Sequence, residues 1–554
     1  MARDDAAATG PAAFDATYST IVVGSGSAAL SAALTTAVAG CRTLVLEKTD
    51  LVGGTSAMSG GGVWVPANHH ARAAGIADSV KEALAYIRAA SPPGWEETEA
   101  PLWQAFAEAS PEMLAFVEAH TPLAFALTGE PDPIPGIAGA KTGGRMVSPR
   151  PLPRRVAGRL ARHLRPSTQP HIFTYQELVG SDVYHHPIRT ALALSPTLLR
   201  RWLTGERGQG TALMAGLVAG CLAAGCDIEL NCPAVELIRD ADGRIRGVVA
   251  ERDGRRLRFA AEHGVVLASG GFEWDDERLG RHFPGPVDFR AAPRANAGDG
   301  HRMAEAVGAA FAHMDQANIN SAIPARYEGR PHGMALFYHG EPNAILVDRT
   351  GRRFVDEMTF NLGEALDRRD SATGEPVHLP VWIVTDERFI RRSPVIRWYA
   401  RPTEGWLLRA DDIEALAAKM GVPAAALAGT VARFNALCAI GTDEDFHRPV
   451  ANPHANLSRY KQVRLEPIEP PFVAISFNRS ILCTKGGPRT NARGQVLRPD
   501  GSVIAGLYCA GATMANPIGT RAVGAGTTLG PNMTWGYICG RSIAAEADRS
   551  AGPA

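Results

Sequence analysis

The chain has 554 residues, more than one hydrophobic core usually organises, so two or more domains are expected. Apolar residues make up 45% and charged residues 21% of the chain, which is the balance of a globular protein. Fifty-seven basic residues offset fifty-seven acidic ones, and this neutrality disfavours a protein built around binding nucleic acid.

The cysteines and the apolar runs give information about the cellular compartment and about membrane insertion. The eight cysteines form no CxxC pair and several sit in apolar stretches, so we expect buried thiols in a reducing compartment and no metal site. The N-terminal segment is acidic and has no apolar core, unlike a signal peptide. The most apolar stretch, 211–226, is too short to span a bilayer and predicts a buried helix. We therefore expect a cytoplasmic protein without stable membrane insertion.

The first predicted element is a strand covered on both faces, because residues 21–23 are continuously apolar. Gly24, Gly26 and Ala29 follow in G-x-G-x-x-A spacing. In that spacing the first glycine allows a tight turn, the second admits a pyrophosphate, and the third small residue lets a helix pack closely on the strand. The turn therefore predicts a dinucleotide site.

An alanine-rich helix is predicted next, ending near Gly40, and a second strand leads to Glu47. That carboxylate can accept hydrogen bonds from both hydroxyls of a ribose, while the helix N-terminus faces the phosphates. The predicted contacts of this unit are Gly24, Gly26, Ser27, Ala28, Ala29, Glu47 and Lys48.

A second glycine-rich loop follows the ribose strand directly. The acid at the strand end does not by itself separate NAD from FAD. An NAD enzyme has no need of another such loop here, whereas FAD needs backbone that can approach its diphosphate and ring. The loop therefore favours FAD over a flexible surface segment, and its predicted contacts are Gly53, Gly54, Thr55, Ser56, Gly60, Gly61 and Gly62.

The N-terminal unit and its sequel "GGTSAMSGG" resemble the flavoprotein family of fumarate reductase and 3-ketosteroid Δ1-dehydrogenase. Residues 226–273, 343–357 and 483–513 resemble further parts of that family. The resemblance implies an α/β fold: a Rossmann-like FAD-binding domain from both chain ends, 1–295 and 465–554, with an inserted α+β capping domain at 296–464. A helical insertion is expected at about 65–205. Further implied FAD contacts are Ala234, Val235, Ser269, Gly270 and Gly511.

The run "GTRAVGAGTTLGPNMTWG" at 519–536 reads as a loop feeding a helix. Gly524, Gly526 and Gly530 let backbone lie flat against a planar ring, and donors near Thr528 and Leu529 can point at the flavin N1 and C2 oxygen. We interpret this loop as serving the flavin ring, so that both glycine-rich ends of the chain hold one cofactor.

The same loop contains residues that indicate the class of substrate. The resemblance to the ketosteroid enzymes implies that the Gly526 N–H polarises a substrate carbonyl, but the tyrosine of those enzymes is replaced here by Ala522. Arg521 stands close to an arginine that clamps a carboxylate in the fumarate reductase branch. A contact of Arg521 with substrate and one with neighbouring backbone both remain open.

Desaturation of a ketone needs a base for the α-proton and a donor for the developing enolate oxygen. The candidates for proton transfer or carbonyl binding are aromatic side chains, each with ordinary core packing as its alternative: Tyr338, Tyr184 and Trp103. Other proton carriers are His185, His186 and His339, and Lys485 occupies a family lysine position that could be a loop anchor.

These features lead to one favoured function. We expect an FAD-dependent desaturase of a cyclic ketone smaller than a steroid, passing electrons to an external quinone or dye-like acceptor. The cofactor is expected to be non-covalent, because no histidine lies in the loop after Glu47. The main alternative is an oxidoreductase of unsaturated carboxylates with Arg521 as the clamp. A flavoprotein subunit without chemistry of its own and an NAD enzyme are the remaining alternatives.

Overall fold

The computed structural model describes residues 13–400, 403–449, 464–518 and 526–551. The strands are β1 Ala16–Val23, β2 Thr43–Leu46, β3 Val63–Trp64, β4 Phe125–Leu127, β5 Met146–Pro149, β6 Leu152–Pro153, β7 Glu206–Arg207, β8 Asp227–Glu229, β9 Ala234–Arg239, β10 Ile245–Arg252, β11 Arg255–Leu267, β12 Val287–Arg290, β13 Phe311–Ala312, β14 Ala317–Asn320, β15 Ala322–Tyr327, β16 Arg330–Ala335, β17 Ile345–Val347, β18 Trp382–Asp386, β19 Leu407–Ala410, β20 Phe472–Ser476, β21 Arg479–Thr484, β22 Gly487–Pro488, β23 Gln495–Leu497 and β24 Val503–Cys509.

The helices are α1 Ser27–Val38, α2 Gly54–Met58, α3 His69–Ala73, α4 Val80–Ala90, α5 Glu96–His120, α6 Tyr175–Gly180, α7 Pro187–Ala193, α8 Ser195–Thr204, α9 Gln209–Ala223, α10 Asp276–His282, α11 Asp299–Ala306, α12 Leu362–Leu366, α13 Glu387–Arg392, α14 Pro394–Ala400, α15 Ile413–Met420, α16 Ala424–Ile440 and α17 Leu529–Ala551. Two 3₁₀ helices span Arg154–Leu160 and Gly511–Thr513.

The central sheet unites the two ends of the chain. Its order is β23-β24-β11-β1-β2-β8, with β9 and β10 branching from β11. Strands β24, β11, β1, β2 and β8 run parallel, so their carboxyl ends share one edge. Ligands of open α/β sheets bind outside that edge. The α/β fold predicted from the sequence is confirmed.

Close helix packing holds the C-terminal helix against the N-terminal unit. Helix α17 packs along α1, where a Cβ at Gly536 would lie 2.1 Å from the carbonyl oxygen of Ala28. A Cβ at Gly540 would lie 2.6 Å from the Cβ of Thr35. Only glycine permits such an approach, so these two residues dock the end of the chain onto its beginning.

A mainly helical segment covers one side of the sheet edge. Helices α4 and α5 form in the predicted region, and the apolar run at 211–226 makes the buried helix α9. Residues 130–175, within the expected helical insertion, also contain β5, β6 and a 3₁₀ helix, and β5 pairs with both β3 and β4.

The capping region is built on a sheet of order β17-β18-β20-β19 and a smaller sheet of order β12-β21-β14. Strands β20 and β21 come after residue 464, and β12 comes before residue 296. These pairings extend the cap beyond the domain limits proposed from the sequence on both sides. Its core contains Phe289, Tyr338, Trp406 and Phe477.

All eight cysteines are buried free thiols, as predicted. Among the described residues, no helix has both the length and the apolar composition needed to cross a bilayer.

Candidate functional site

A cleft opens at the carboxyl edge of the central sheet, between β1, β2, β11 and the N-terminus of α17. Most of the residues predicted to contact a cofactor line it, and they come from seven separate stretches of the chain. They are Gly24, Gly26, Ser27, Ala28, Glu47, Lys48, Gly54, Thr55, Ser56, Ala234, Ser269, Gly270, Gly511, Thr528 and Leu529.

Two glycines leave one wall of the cleft open. The nearest atom to a Cβ at Gly26 would be the Ser56 Oγ, at 3.7 Å, and the nearest to a Cβ at Gly54 would be the Gly26 Cα, at 3.8 Å. A side chain at either position would project into the cleft. This open cradle at the N-terminus of α1 suits a pyrophosphate held by backbone N–H groups.

Gly24 is needed for the tight turn after β1. Its φ is +106°, and a Cβ would lie 2.4 Å from the carbonyl oxygen of Ala268. The turn after β1 therefore crosses the end of β11 with no room for a side chain, which brings the glycine-rich turn onto the sheet edge.

Glu47 ends β2 with its carboxylate at the cleft. Ser25 Oγ donates to Oε2 over 2.5 Å, and the Thr49 N–H and Oγ1 each donate to Oε1 over 2.9 Å. These donors fix the carboxylate, and a carboxylate retains further lone pairs that can accept from a diol.

The neighbouring Lys48 is held by an ion pair with Asp299 at 2.5 Å, which ties the second strand to the start of α11.

Seven of the predicted contact residues lie outside the cleft lining. Ala29 and Gly53 are buried behind the wall, where a Cβ at Gly53 would lie 2.7 Å from the Ala57 Cβ, and Val235 is 39% exposed on the outer surface. The other four are Gly60, Gly61, Gly62 and Gly526. Five of these seven residues are glycines, and the sequence does not reveal which neighbour requires a glycine in a loop.

Gly526 packs closely against the backbone of residues 62–64. Gly526 has φ +78°, and its Cβ would lie 2.7 Å from the Trp64 N and 2.8 Å from the Gly62 carbonyl carbon. The Trp64 N–H donates to the Gly526 carbonyl oxygen over 3.3 Å. Strand β3 therefore supports the entry to α17 from behind.

Several cleft residues escaped the sequence interpretation, among them Ser25, Ser59, Arg165, Asn296, Asp299, Leu482, Cys483 and Asn532. Asn296 donates to Thr55 Oγ1 over 3.0 Å and so joins the cap entry to the second glycine-rich loop. The motif "NAGDG" at 296–300 indicates the start of a domain, and its polar residues beside glycines are also a signal that could have revealed the contact. Arg165 carried no such signal.

The aromatic candidates for catalysis occupy different environments. The Trp103 indole N–H donates to the Pro517 carbonyl oxygen over 2.7 Å in a fully buried cluster. In this structure its donor therefore holds the loop that precedes α17, which differs from the expected contact with a substrate carbonyl.

Tyr338 is 2% exposed within the core of the cap, and its hydroxyl lies 3.4 Å from the Ala322 carbonyl oxygen. Burial, with the charge of Asp288 adding to it, raises the pKa of Tyr338 well above its usual value. As placed here, Tyr338 has the surroundings of a core side chain.

Tyr184 lies half-buried where the helical segment meets the cap, with its ring 4.5 Å from the ring of His185. His185 joins the two regions through Asp182 (2.7 Å) on its own segment and Glu341 (2.8 Å) in the cap. Burial alone would lower the pKa of His185, but its hydrogen bonds and charge pairing with these carboxylates outweigh burial and raise it. His185 therefore bridges the two regions beside Tyr184.

Lys485 follows β21 and is 2% exposed. Its Nζ donates to the Ile518 carbonyl oxygen over 3.1 Å, and burial lowers the pKa of the amine to about 8. The lysine and Trp103 thus hold consecutive carbonyls, those of residues 518 and 517, at the start of the C-terminal loop. Arg521, Ala522 and Gly524 lie outside the described residues.

Comparison with known proteins agrees with this arrangement. The family model described as an FAD binding domain matches residues 19–529. The 4-oxocyclohexanecarboxylate 2-dehydrogenase of Sinomonas cyclohexanicum is 36% identical, with 96% of this chain and 93% of that protein covered. The 3-oxosteroid 1-dehydrogenase of Mycolicibacterium smegmatis is 33% identical, with 96% and 98% covered.

Among solved structures, the 3-ketosteroid Δ1-dehydrogenase from Sterolibacterium denitrificans, in complex with 1,4-androstadiene-3,17-dione, superposes with a TM-score of 0.84 at 31% identity, covering 96% of this chain and 99% of that one. The open Gly26–Gly54 cradle and the fixed Glu47 carboxylate fit the cofactor that this family binds. The chain therefore belongs to the FAD binding domain family and is an FAD-dependent oxidoreductase.

Proposed function

We propose that this protein desaturates a cyclic ketone next to its carbonyl group, using FAD as the hydride acceptor. The observation that carries the proposal is the cleft that runs from the Glu47 carboxylate to Thr528 and Leu529 at the start of α17, in a chain whose relatives have names that specify dehydrogenation of ring ketones. When bound, the flavin supplies a hydride acceptor; the chain supplies orientation, a donor for the carbonyl and a base.

The proposed donor for the carbonyl is the N–H of Gly526. The α17 N-terminus adds its dipole to any charge that develops on an oxygen there. The rigid support of Gly526 by Trp64 and Gly62 would keep this donor in place without reorganisation during the reaction.

The proposed base is a tyrosine, with Tyr184 and Tyr338 as the candidates. Removal of the α-proton requires a phenolate, so a lowered pKa favours the role. Tyr184 is half-buried at the boundary of the cap beside the His185 ring, whereas Tyr338 is buried in the cap core and burial raises its pKa. We therefore favour Tyr184.

The substrate class we propose is a cyclic ketone smaller than a steroid, with a carboxylate as its second polar group. The name of the Sinomonas relative specifies a ring ketone that carries a carboxylate. Arg521 could pair with such a carboxylate, and this part of the proposal rests on its place in the sequence alone.

The test is reduction of the bound flavin under anaerobic conditions by cyclohexanone, 4-oxocyclohexanecarboxylate, a 3-ketosteroid and succinate, each mixed separately with the holoenzyme. Loss of the oxidised flavin absorbance with a ring ketone, and formation of the enone, supports the proposal. Reduction by succinate alone would overturn it in favour of the carboxylate oxidoreductase. Arg521→Gln should weaken binding of the keto acid and leave cyclohexanone unaffected.

Replacement of the base should slow flavin reduction by about 10²–10⁴-fold while FAD stays bound. We expect that loss for Tyr184→Phe, and a much smaller effect for Tyr338→Phe. The thermal unfolding midpoint of each variant controls for damage to the cap. A large loss only in Tyr338→Phe, with unchanged unfolding, would reverse the assignment.

A further inference from the structure

Two consecutive histidines and a glutamate converge where α3 meets the end of α5. Among the residues that the structure describes, His69, His70 and Glu118 are the one group of three or more histidine, cysteine or acidic side chains whose ligand atoms all lie within 4.8 Å of one another. The His69 Nε2 lies 2.7 Å from the Glu118 Oε2, and the His70 Nε2 lies 3.0 Å from both oxygens of Glu118. The centroids of the two imidazole rings are 4.2 Å apart. Two imidazole nitrogens and one carboxylate therefore share one small volume.

The backbone that carries the two histidines is firmly held. Asn68, the residue before α3, is buried, and its side-chain amide donates to the carbonyl oxygens of Val65 and Gly144, each over 2.7 Å. Its Oδ1 accepts from the Ala71 N–H over 2.9 Å, which caps α3. The histidines therefore approach Glu118 from a fixed turn, so that little further ordering of the chain is needed when a ligand binds.

Glu118 lies where a cation is favoured. It is in the last turn of the 25-residue helix α5, at the negative end of the helix dipole. Its side chain is only 17% exposed, and the Phe125 N–H donates to Oε1 over 2.9 Å and so orients the carboxylate. An acidic side chain at this end of a helix is unfavourable unless positive charge lies beside it. The imidazoles supply that charge only when protonated, whereas a divalent metal supplies it with both rings neutral.

The donor set indicates the class of metal. Two histidine nitrogens with one carboxylate form the His₂Glu set that binds zinc and leaves a fourth position to water. Tetrahedral bonds of about 2.0–2.2 Å place ligand atoms about 3.3 Å apart, so the imidazole nitrogens need to move away from the carboxylate by about half an ångström or less. The His69 side chain is 43% exposed, which gives the ion and its water access from solvent. Magnesium and calcium prefer oxygen ligands.

We propose that His69, His70 and Glu118 bind one zinc ion. The metal takes the Nε2 lone pair of each imidazole, so that each ring carries its proton on Nδ1, and an oxygen of the ionised Glu118 is the third protein ligand. The ion ties α3 to the end of α5 and, through the Phe125 N–H, to β4. The sequence did not indicate this site, because consecutive histidines lack the usual ligand spacing and Glu118 is 48 residues beyond His70.

The test is a calorimetric titration of the untagged holoenzyme, first freed of metal with EDTA, with zinc chloride. We expect one zinc ion per chain and a thermal unfolding midpoint that rises as zinc is added, because a ligand of the folded state stabilises it. Zinc K-edge X-ray absorption should show nitrogen and oxygen ligands at about 2.0–2.2 Å and no sulfur at about 2.3 Å. Sulfur ligands would assign the ion to the buried thiols and overturn the proposal, as would the absence of stoichiometric binding.

Matched variants locate the ion. Glu118→Gln keeps an oxygen for the Phe125 N–H but loses the charge, and His70→Gln removes one imidazole. Each should weaken zinc binding at least about tenfold, since even residues that only orient a metal ligand have effects of that size. The controls are Glu108→Gln and His120→Gln, at exposed positions on α5 outside the cluster, which should bind zinc like the wild type. Unfolding midpoints measured without zinc control for damage to the helices, and equal zinc affinity in all four variants would contradict the assignment.

The zinc site is separate from the proposed reaction, because its three residues lie outside the cleft lining. Zinc binding is measured without substrate. A holoenzyme that reduces its flavin with no ketone but binds one zinc ion at these residues would support the site and count against the reaction. A holoenzyme that desaturates a ketone but binds no zinc would overturn the site alone.

Discussion

The two ends of the cleft differ in where their residues come from in the chain. At the Glu47 end, the turn, the first helix, the acid and the second glycine-rich loop all come from residues 24–56. At the Thr528 end, the wall combines the start of α17, β21 and the 3₁₀ helix at Gly511–Thr513, and Trp64 and Trp103 support it from the helical side.

This difference predicts how substitutions at each end of the cleft will act. The Glu47 end is specified by local geometry, so a change there should remove the cofactor directly. The Thr528 end depends on contacts between distant segments, so a change there should disturb the reaction while the cofactor stays bound. Three substitutions test this division, and a fourth tests the burial of Lys485 beside the Thr528 end.

The largest effect is expected for Gly24→Ala. The new Cβ would lie 2.4 Å from the Ala268 carbonyl oxygen at φ +106°. Strain and displacement of the strand end should lower the free energy of unfolding by about 4 kcal/mol and abolish FAD retention. Flavin absorbance of the purified variant measures FAD retention, and urea unfolding measures the free energy of unfolding. Gly40→Ala is the control, since its φ is +85° but no atom lies within 4 Å; it should cost about 1 kcal/mol.

Lys485→Met should change the pH dependence of stability. The pKa of Lys485 is lowered from 10.5 to about 8 in the folded chain. Between these values the unfolded chain binds more protons, so the free energy of unfolding rises with pH, by up to about 3 kcal/mol in all. Urea unfolding between pH 8 and pH 10.5 should show this rise in the wild type and lose it in the variant.

Lys81→Met, at an exposed lysine, is the control and should keep the wild-type slope. A variant of Lys485 with an unchanged slope would show that the amine is not desolvated.

Gly526→Ala should slow the reaction while FAD remains bound. Its Cβ would lie 2.7 Å from the Trp64 N, so the loop and its N–H must shift. Loss of one oriented donor lowers turnover by about a hundredfold or more. Stopped-flow reduction by the ketone gives the rate, and flavin fluorescence gives the FAD affinity. Loss of FAD instead would break the division between the two ends.

Glu47→Gln should have the smallest effect. The neutral amide keeps the shape but weakens hydrogen bonds to the ribose hydroxyls by about 2 kcal/mol, which is roughly a thirtyfold loss of FAD affinity. Titration of the apoprotein with FAD measures it. Turnover at saturating FAD should stay close to wild type, and a lower saturated rate would show that the two ends are coupled.

The same division separates the site residues that could be predicted from the sequence from those that could not. Gly24, Gly26 and Glu47 could be placed from the sequence because strand, turn, helix and strand are consecutive and each residue type has a steric or hydrogen-bonding reason. Arg165 could not be placed, because its position in the cleft depends on how separate segments pack. Gly62 and Gly526 were recognised as special, but the sequence could not show that they pack against each other.

The amino-acid sequence by itself determined the dinucleotide turn and the acid that follows it, because strand, glycines, helix and second strand lie at short range, whereas the assembly of the FAD-binding domain from both chain ends was implied by the family resemblance. Only the tertiary structure decided that Trp103 and Lys485 hold adjacent carbonyls, that Tyr338 is a core residue, and that two histidines converge on Glu118. Burial and contact partners depend on the packing of distant segments, which no local pattern contains.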